Sequence, residues 1–272
     1  MAISNFKKID GASAHGQLLQ YSAEGVSVAS VYWPSVYANV DSGLDAAATS
    51  LMQGILAAGS AIMAGIARLR IVDEIHALAN ESSSRFISLA FRHARAATIA
   101  SRDDVASAKA ALRAPIESAS QYRVAADELV RIDIRNRIEK LGDIGRQFEA
   151  LMASKGLDTL AAIVPFMDRT AFASNEALSE KLTQEYATRR QMKLIGQGDR
   201  SDNYSSGPDP LRVTMGEDSL RRMATGQIGR IKTKEDAVSA ATTLIGTTID
   251  FVARAGNLDN AAAFNLLMGK SA

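Results

Sequence analysis

Few side chains in this sequence combine the types and the spacing that catalysis or metal binding requires. His76 follows Asp73 by three residues and precedes Glu81 by five, but neither H-E-x-x-H nor a paired Glu-x-x-His pattern is present. The glycines and basic residues of 226–232 lack both GxxxxGK(S/T) and GxGxxG spacing, and no G-x-S-x-G elbow occurs. The chain has no cysteine, which excludes thiolate zinc sites, iron–sulfur clusters and cysteine nucleophiles. We therefore predict no enzymatic activity, no catalytic residue, no cofactor and no metal ion.

Charge is distributed unevenly along the chain. The 31 Lys and Arg residues nearly balance the 30 Asp and Glu residues, so the chain as a whole is not attracted to nucleic acid or anionic lipid. Between Glu24 and Arg68, however, the only charged residues are Asp41 and Asp45. Two uncharged stretches result, and this contrast with the charged remainder predicts two different environments within one chain.

The first uncharged stretch, 25–40, is rich in β-branched and aromatic residues and contains the only tryptophan. Such residues favour extended chain, whereas Pro34 interrupts a regular ladder or helix. We predict an extended or irregular N-terminal arm over 1–42. Its candidate partner-binding residues are Val31, Trp33 and Tyr37.

The second uncharged stretch, 46–67, has 22 residues, and as a helix it would be about 33 Å long, close to the thickness of bilayer hydrocarbon. Small residues recur four positions apart on two stripes, a spacing that lets helices approach closely, especially in membranes. These stripes form the predicted membrane or helix-packing interface: Ser50, Gly54, Ala57, Ala58, Ala61 and Gly65. Two interpretations stay open, conditional entry into a bilayer or burial between helices of a bundle or an oligomer.

The chain from Arg68 to about Ala153 has a helical pattern. Two heptad-like seams predict long helices of coiled-coil type, one at Leu69, Val72, His76, Ala79, Ser83, Phe86, Ala90, His93 and Ala97, the other at Ile134, Ile138, Leu141, Gly145, Phe148 and Met152. Pro115 breaks the pattern between them. Together with the apolar helix these segments form a predicted long-helix body over 43–195. The two histidines of the first seam are interpreted as partly buried and bonded to neighbours, and a pH switch is the alternative.

The clearest predicted linker is 196–210, where Gly, Ser, Asp, Asn and Pro dominate and nothing is periodic. A small helical tail is predicted over 211–272. Ten basic and five acidic residues lie within 189–234, and such a region could contact phosphates. Its only aromatic residue is Tyr204, so a solvated or partner-facing surface is favoured over nucleic-acid contact.

The expected fold class is all-α, with long helices in a hairpin or elongated bundle and a minor extended N-terminal segment. An early Ala/Gly-rich helix, AAATSLMQGILAAGSAIMAGIA, runs into RLRIVDEIHALANESSSRFISLAFRHARAATIASRDD in a chain without cysteine. This organisation resembles the internal virion, or ejection, proteins of short-tailed bacteriophages over about residues 40–155. The resemblance implies packaging in a capsid, exit with the genome and a conduit through the host envelope, and it carries over no catalytic residue.

The leading hypothesis is accordingly a non-enzymatic, self-associating structural protein of a virion or delivery apparatus, with conditional membrane contact through 46–67. It would form a homo-oligomer and contact other assembly proteins. One alternative is a soluble helical-bundle binding or scaffold protein with 46–67 as its buried central helix, and another is a helical pore-forming protein or secretion translocator. The basic Lys7 and Lys8 are followed by polar residues rather than an apolar core. We therefore expect cytoplasmic synthesis without a signal peptide, before assembly into a virion or delivery to a host envelope.

Overall fold

The computed structural model describes residues 3–9, 16–23, 26–66, 68, 71–116, 121–154, 156–198 and 216–270. Three strands come first: β1 (Ile3–Ile9), β2 (Gly16–Ala23) and β3 (Val26–Pro34). The helices are α1 (Ser42–Ile66), α2 (Val72–Phe86), α3 (Ser88–Arg113), α4 (Val124–Glu139), α5 (Ile144–Ala153), α6 (Leu157–Ile163), α7 (Glu176–Gly198), α8 (Glu217–Gly256) and α9 (Asn260–Leu267). Short 3₁₀ turns supplement them. The predicted all-α class, with a minor extended N-terminal segment, is confirmed.

The chain forms two compact units. Unit 1 comprises Met1–Val105 and Lys232–Ala272, and unit 2 comprises Ala106–Ile231. Both changes of unit fall inside helices, α3 and α8, and not in a loop. This division differs from the predicted one: the body 43–195 is shared between the units, and so is the tail 211–272, because the second half of α8 and α9 belong to unit 1. The predicted linker begins within α7, and 199–210 lies outside the described residues.

The N-terminal segment is more regular than the predicted arm over 1–42. β1, β2 and β3 form an antiparallel sheet in that order, with Leu19 opposite Val31 and Gln17 opposite Trp33. Pro34 is the last residue of β3, where a missing backbone N–H costs least. All three strands contact α1. The β-branched and aromatic residues of β3 therefore pair within a sheet that packs on a helix of the same chain.

The core of unit 1 is built around α1. Its fully buried side chains come from α1 (Leu44, Leu51, Met52, Ile55, Ile62), from α2 and α3 with the turn between them (Ala79, Ile87, Phe91, Ala94), from α8 (Ala241, Leu244, Phe251, Val252) and from α9 (Ala263, Leu267). One side of α1 packs against these neighbours, and the other carries an exposed stripe of Ala46, Ser50, Gln53, Ser60 and Ala64. Nine of its 25 residues are buried, which is the arrangement expected for a core helix with one side at the surface.

The core of unit 2 joins four helices and two 3₁₀ turns. Its buried side chains are Ile138 of α4, Leu151 of α5, Leu160, Ala161 and Ile163 of α6, Val164, Met167 and Phe172 of the turns, and Leu182 and Tyr186 of α7. The Tyr186 hydroxyl donates a hydrogen bond to the carbonyl oxygen of Ala114 at 2.8 Å. Burial without such a bond would cost about 1–3 kcal/mol, so this contact lets the phenol lie in the core.

The two heptad seams are interrupted. The first is broken at Ile87, between α2 and α3, so that Phe86 and His93 are exposed while Ile87 and Phe91 are buried. In the second, Ile138 is buried, whereas Leu141 lies in the exposed turn between α4 and α5. Gly142 has a φ of 71° in that turn, a conformation that favours glycine. Two helices therefore occupy each segment for which one continuous seam was predicted.

Candidate functional site

The predicted interface on α1 is divided between the interior and the surface of unit 1. Gly54 and Ala58 are buried, Ala57, Ala61 and Gly65 are half-buried, and Ser50 is exposed. Gly54 is where the backbones approach most closely: a Cβ atom added there would lie 2.5 Å from the carbonyl oxygen of Phe86. The small residues thus allow close helix packing within the chain, since α1 contacts α2 and the turn that follows it.

The predicted partner-binding arm lies against the same helix. Val31 and Trp33 are buried, and Tyr37 is half-buried. The Trp33 Nε1–H donates a hydrogen bond to Asp45 Oδ1 at 2.8 Å, and the Trp33 and Tyr37 rings lie 5.4 Å apart at a tilt of 55°. Burial raises the pKa of the Tyr37 hydroxyl, and the carboxylate of Asp236 adds to the effect. These three side chains therefore attach the N-terminal sheet to α1.

A cluster of charged groups lies at the N-terminus of α1. Asp41 Oδ1 accepts a hydrogen bond from the backbone N–H of Leu44 at 3.0 Å. Asp41 Oδ2 accepts one from the Ser101 hydroxyl at 2.7 Å and lies 3.2 Å from Lys234 Nζ. Lys234 Nζ also lies 3.1 Å from Asp104 Oδ2. One aspartate thus caps α1 and, through Ser101 and Lys234, connects it with α3 and α8.

The electrostatics of this Asp41 cluster favour the charged forms. Burial alone would raise the pKa of Asp41, but the hydrogen bonds from Leu44, Ser101 and Lys234 outweigh it and lower that pKa below its ordinary value of 3.8. Burial alone would lower the pKa of Lys234, but its bonds with Asp104 and Asp41 raise it. The sequence showed that Asp41 precedes an apolar helix, yet no local spacing connects it with residues 60 and 193 positions away.

A second ionic cluster lies in unit 2. Glu185 Oε1 accepts a hydrogen bond from Arg189 Nε at 2.7 Å, and Glu185 Oε2 accepts one from Arg221 Nη2 at 2.5 Å. Arg189 also donates to the carbonyl oxygens of Met152 and Ser154 at the end of α5. Burial would raise the pKa of Glu185, but the two arginines lower it. With both carboxylate oxygens occupied, Glu185 has the environment of a structural ion pair and not that of a general base.

Several of the basic residues of 189–234 make contacts within the described part of the chain. Besides Arg189 and Arg221, Arg190 donates to the carbonyl oxygens of Ala111 and Ala114 at the end of α3, and Lys234 belongs to the Asp41 cluster. The bonds from Arg190 reach carbonyl groups at a helix C-terminus, where carbonyl oxygens have few donor partners within the helix. The carboxylates of Glu185, Asp41 and Asp104 thus offset part of the positive charge of Arg189, Arg221 and Lys234.

The two seam histidines have different environments. His76 Nδ1 lies 2.9 Å from the carbonyl oxygen of Ala255, at the C-terminus of α8, whereas His93 is exposed. Within the part of the chain that the structure describes, no group of three His, Asp or Glu side chains is arranged to hold a metal ion. His76 thus bonds a neighbouring helix end, as interpreted from the sequence, whereas the interpretation of His93 as partly buried was wrong.

Comparison of the chain with models of known protein families, with curated proteins and with solved structures found no match. Function is therefore inferred from the geometry of the described residues.

Proposed function

We propose that the protein is a non-enzymatic structural protein that acts through contacts with further copies of itself and with other proteins, and that α1 is the central helix holding unit 1 together. The burial of α1 carries this proposal, since Leu44, Leu51, Met52, Ile55 and Ile62 are each at most 2% exposed. A helix whose one charged residue is Asp45, in such a position, contributes a core and needs no lipid to cover it.

The two ionic clusters support a structural role. Asp41 and Glu185 each have both carboxylate oxygens bonded to donors of the same unit. Catalytic acids and bases need a proton-accepting position that faces a cleft, with a pKa near the working pH. A lowered pKa and saturated oxygens favour the fastening of helix ends instead.

The surface of α4 is the contact we assign to self-association. Leu129 is 67% exposed and Val130 is 57% exposed, and Ile132 of the same helix is 41% exposed. Acidic and basic residues alternate along α4, as at Asp133 and Arg137, which form an ion pair. A surface with both signs of charge around exposed aliphatic groups suits pairing with its own copy about a two-fold axis.

The test measures mass by light scattering over a range of concentrations. The wild-type chain is expected to form a concentration-dependent oligomer, and the double variant Leu129→Ser/Val130→Ser is expected to remain smaller. The matched control is Ile71→Ser/Val72→Ser, an adjacent aliphatic pair of similar exposure, 57% and 55%. A monomer at every concentration, or equal loss in both double variants, would contradict the assignment to α4.

A second candidate function is supported by the composition of α1. This 25-residue helix is the one candidate membrane span among the described residues, and an 18-residue window of it has a mean hydropathy of 1.4. In this candidate the protein belongs to a virion or delivery apparatus, and unit 1 opens so that α1 enters a host membrane. The resemblance to bacteriophage ejection proteins gives the candidate its context, and the burial of Leu51 and Ile55 means that the core must first be broken.

The absence of cysteine makes the two candidates separable by labelling. Ser50→Cys is at an exposed position of α1 and Ala58→Cys at a buried one. With α1 as a core helix, Ser50→Cys reacts with a maleimide fluorophore, Ala58→Cys stays protected, and vesicles change neither result. If the fluorophore on Ser50→Cys is instead quenched, on adding vesicles, by nitroxides placed deep in the lipid acyl chains, α1 enters the bilayer and the second candidate replaces the first.

A further inference from the structure

Unit 1 has an arginine-rich surface, which has no part in the proposed function. Residues 82–102 contain four arginines and no Asp or Glu. This segment covers the end of α2 and the first half of α3. A run of that kind within a chain of net charge +1 concentrates positive charge where α2 ends and α3 begins.

Apolar side chains share the exposed face of this segment. Leu89 is 61% exposed, Phe86 37% and Ile99 36%, and Arg92 lies between Leu89 and Ile99 on the same face. The opposite face of α3 is buried in the core through Phe91, Ala94 and Thr98, at helical spacing. We refer to Arg85, Phe86, Leu89, Arg92, Arg95 and Ile99 as the basic apolar face.

The arginines of this face are not neutralised. Arg85 lies over the Phe86 ring at 5.3 Å, and Arg95 lies over the Phe264 ring at 5.8 Å. Arg92 Nε donates to the carbonyl oxygen of Ser88 at 3.3 Å. Within the described part of the chain no carboxylate forms an ion pair with any of these three arginines. Their contacts hold the side chains along the helix and leave the positive charge available.

The exposed apolar residues of α4 provide a contrast within the same chain. There the arginines are compensated: Arg131 and Arg135 both lie near Glu128, and Arg137 pairs with Asp133. The aliphatic groups of α4 therefore lie in a field of mixed sign, which suits a protein surface. Those of the basic apolar face lie among three arginines, with the acidic Glu81 and Asp103 at the two ends of the segment, and an excess of positive charge suits an anionic surface.

We propose that the basic apolar face binds the surface of an anionic lipid bilayer, with the arginines at the phosphate level and Phe86, Leu89 and Ile99 in the boundary below it. Charge complementarity selects an anionic partner. The two aliphatic side chains, Leu89 and Ile99, favour lipid over nucleic acid, because phosphodiester contacts gain nothing from exposed aliphatic groups. Binding leaves unit 1 folded and α1 in its core. The proposal does not depend on self-association through α4.

The experiment is flotation of the full chain with vesicles of phosphatidylcholine alone and with phosphatidylglycerol added. Binding is expected only with phosphatidylglycerol, and to weaken strongly between roughly 0.1 M and 1 M salt, where the Debye length falls from about 10 Å to about 3 Å. Arg85→Gln/Arg92→Gln is expected to lower the partition coefficient by about 30-fold, on the basis of about 1 kcal/mol for each basic residue near the surface. Leu89→Ser/Ile99→Ser is expected to lower it several-fold.

Matched controls are Arg137→Gln/Arg222→Gln, which removes the same charge elsewhere, and Ile71→Ser/Val72→Ser, which removes exposed aliphatic groups elsewhere. Circular dichroism checks that each variant is folded. Equal losses in the control and test pairs, or salt-independent binding to phosphatidylcholine, would overturn the proposal. Binding to a labelled DNA duplex is measured by fluorescence anisotropy. If Arg85→Gln/Arg92→Gln weakened DNA binding and left vesicle binding unchanged, the face would be a nucleic-acid surface and the proposal would be overturned.

Discussion

At the scale of single residues, Asp41 connects three helices of unit 1, α1, α3 and α8. Its two oxygens meet a backbone N–H of its own helix, a hydroxyl of α3 and an ammonium of α8. Each bond to an ionised group contributes about 1.5–3 kcal/mol in favourable surroundings. The ion pair with Lys234 is formed only when the carboxyl is charged, and the other two bonds are stronger in that state, which makes the stability of unit 1 depend on pH.

We expect Asp41→Asn to lower the stability of the protein at neutral pH and to weaken its loss on acidification. Because the pKa of Asp41 in the folded chain is below its ordinary value of 3.8, its contribution is complete above that value and is lost as the pH falls toward the folded-state pKa. Asparagine keeps the cap and the Ser101 contact but loses the charge. The expected loss at neutral pH is about 1–3 kcal/mol, measured by urea unfolding at several pH values.

Asp104→Asn is the control for this prediction, since Asp104 contacts the same Lys234 but its side chain is 70% exposed. An exposed ion pair contributes about 0–1 kcal/mol, so this variant should change little. Some acid dependence remains in both variants because the pKa of Glu185 is also lowered, from 4.5. Identical stability and pH profiles for the two variants would show that Asp41 has no special part in unit 1.

At the scale of the elements, the approach of α1 to the end of α2 depends on one missing side chain. A Cβ on Gly54 would lie 2.5 Å from the Phe86 carbonyl oxygen and 3.5 Å from the Cα of Ile87. Those atoms are backbone, so they can move only if a helix moves. We expect Gly54→Ala to destabilise the protein by about 1–3 kcal/mol despite the better helix propensity of alanine.

Gly246→Ala is the matched control, since Gly246 lies inside α8 and a Cβ added there would meet no atom within 4 Å. That variant should gain about 0.5–1 kcal/mol from the reduced entropy of the unfolded chain. The urea midpoints of the two variants are compared, and the comparison reports stability when their unfolding m-values are equal. A gain in both would mean that α1 and the α2–α3 turn adjust without cost, and that the close approach does not constrain the fold.

The elements also show which parts of the structure local sequence could predict. The all-α class, the apolar helix and the helical character of 68–153 followed from periodicity and length. The break at Ile87 did not, because the apolar pattern continues across it and no proline or glycine marks it. The sheet was missed as a sheet because Pro34 and the polar residues of the first strands obscure alternation.

The candidate site was also predicted only in part, because local spacing identifies residues of one helix and not their distant partners. The small residues of α1 were identified from spacing alone, and Gly54 and Ala58 lie in tight packing. Spacing cannot say whether the opposing helix belongs to the same chain, to another copy or is replaced by lipid. The Asp41 and Glu185 clusters join residues far apart in sequence, so no local pattern could reveal them.

At the scale of the whole molecule, two cores exist in one chain, and each contains phenylalanine side chains that are fully buried. Phe251 of α8 lies in the core of unit 1, and Phe172 lies in the core of unit 2. The segment predicted as a tail thus supplies a large part of the first core. Replacing either ring by alanine should cost about 3–5 kcal/mol, because the cavity forms among side chains that cannot all relax.

We expect Phe251→Ala and Phe172→Ala to increase amide hydrogen exchange in different sets of helices. Phe251→Ala should lose protection in α1, α2 and the second half of α8, and Phe172→Ala in α4 to α7, because local opening follows cooperative units. The exposed Phe86→Ala serves as control and should change protection little. If Phe251→Ala instead reduced protection uniformly across both cores, the chain would unfold as one cooperative unit, and opening of unit 1 alone, which release of α1 into a membrane requires, would be excluded.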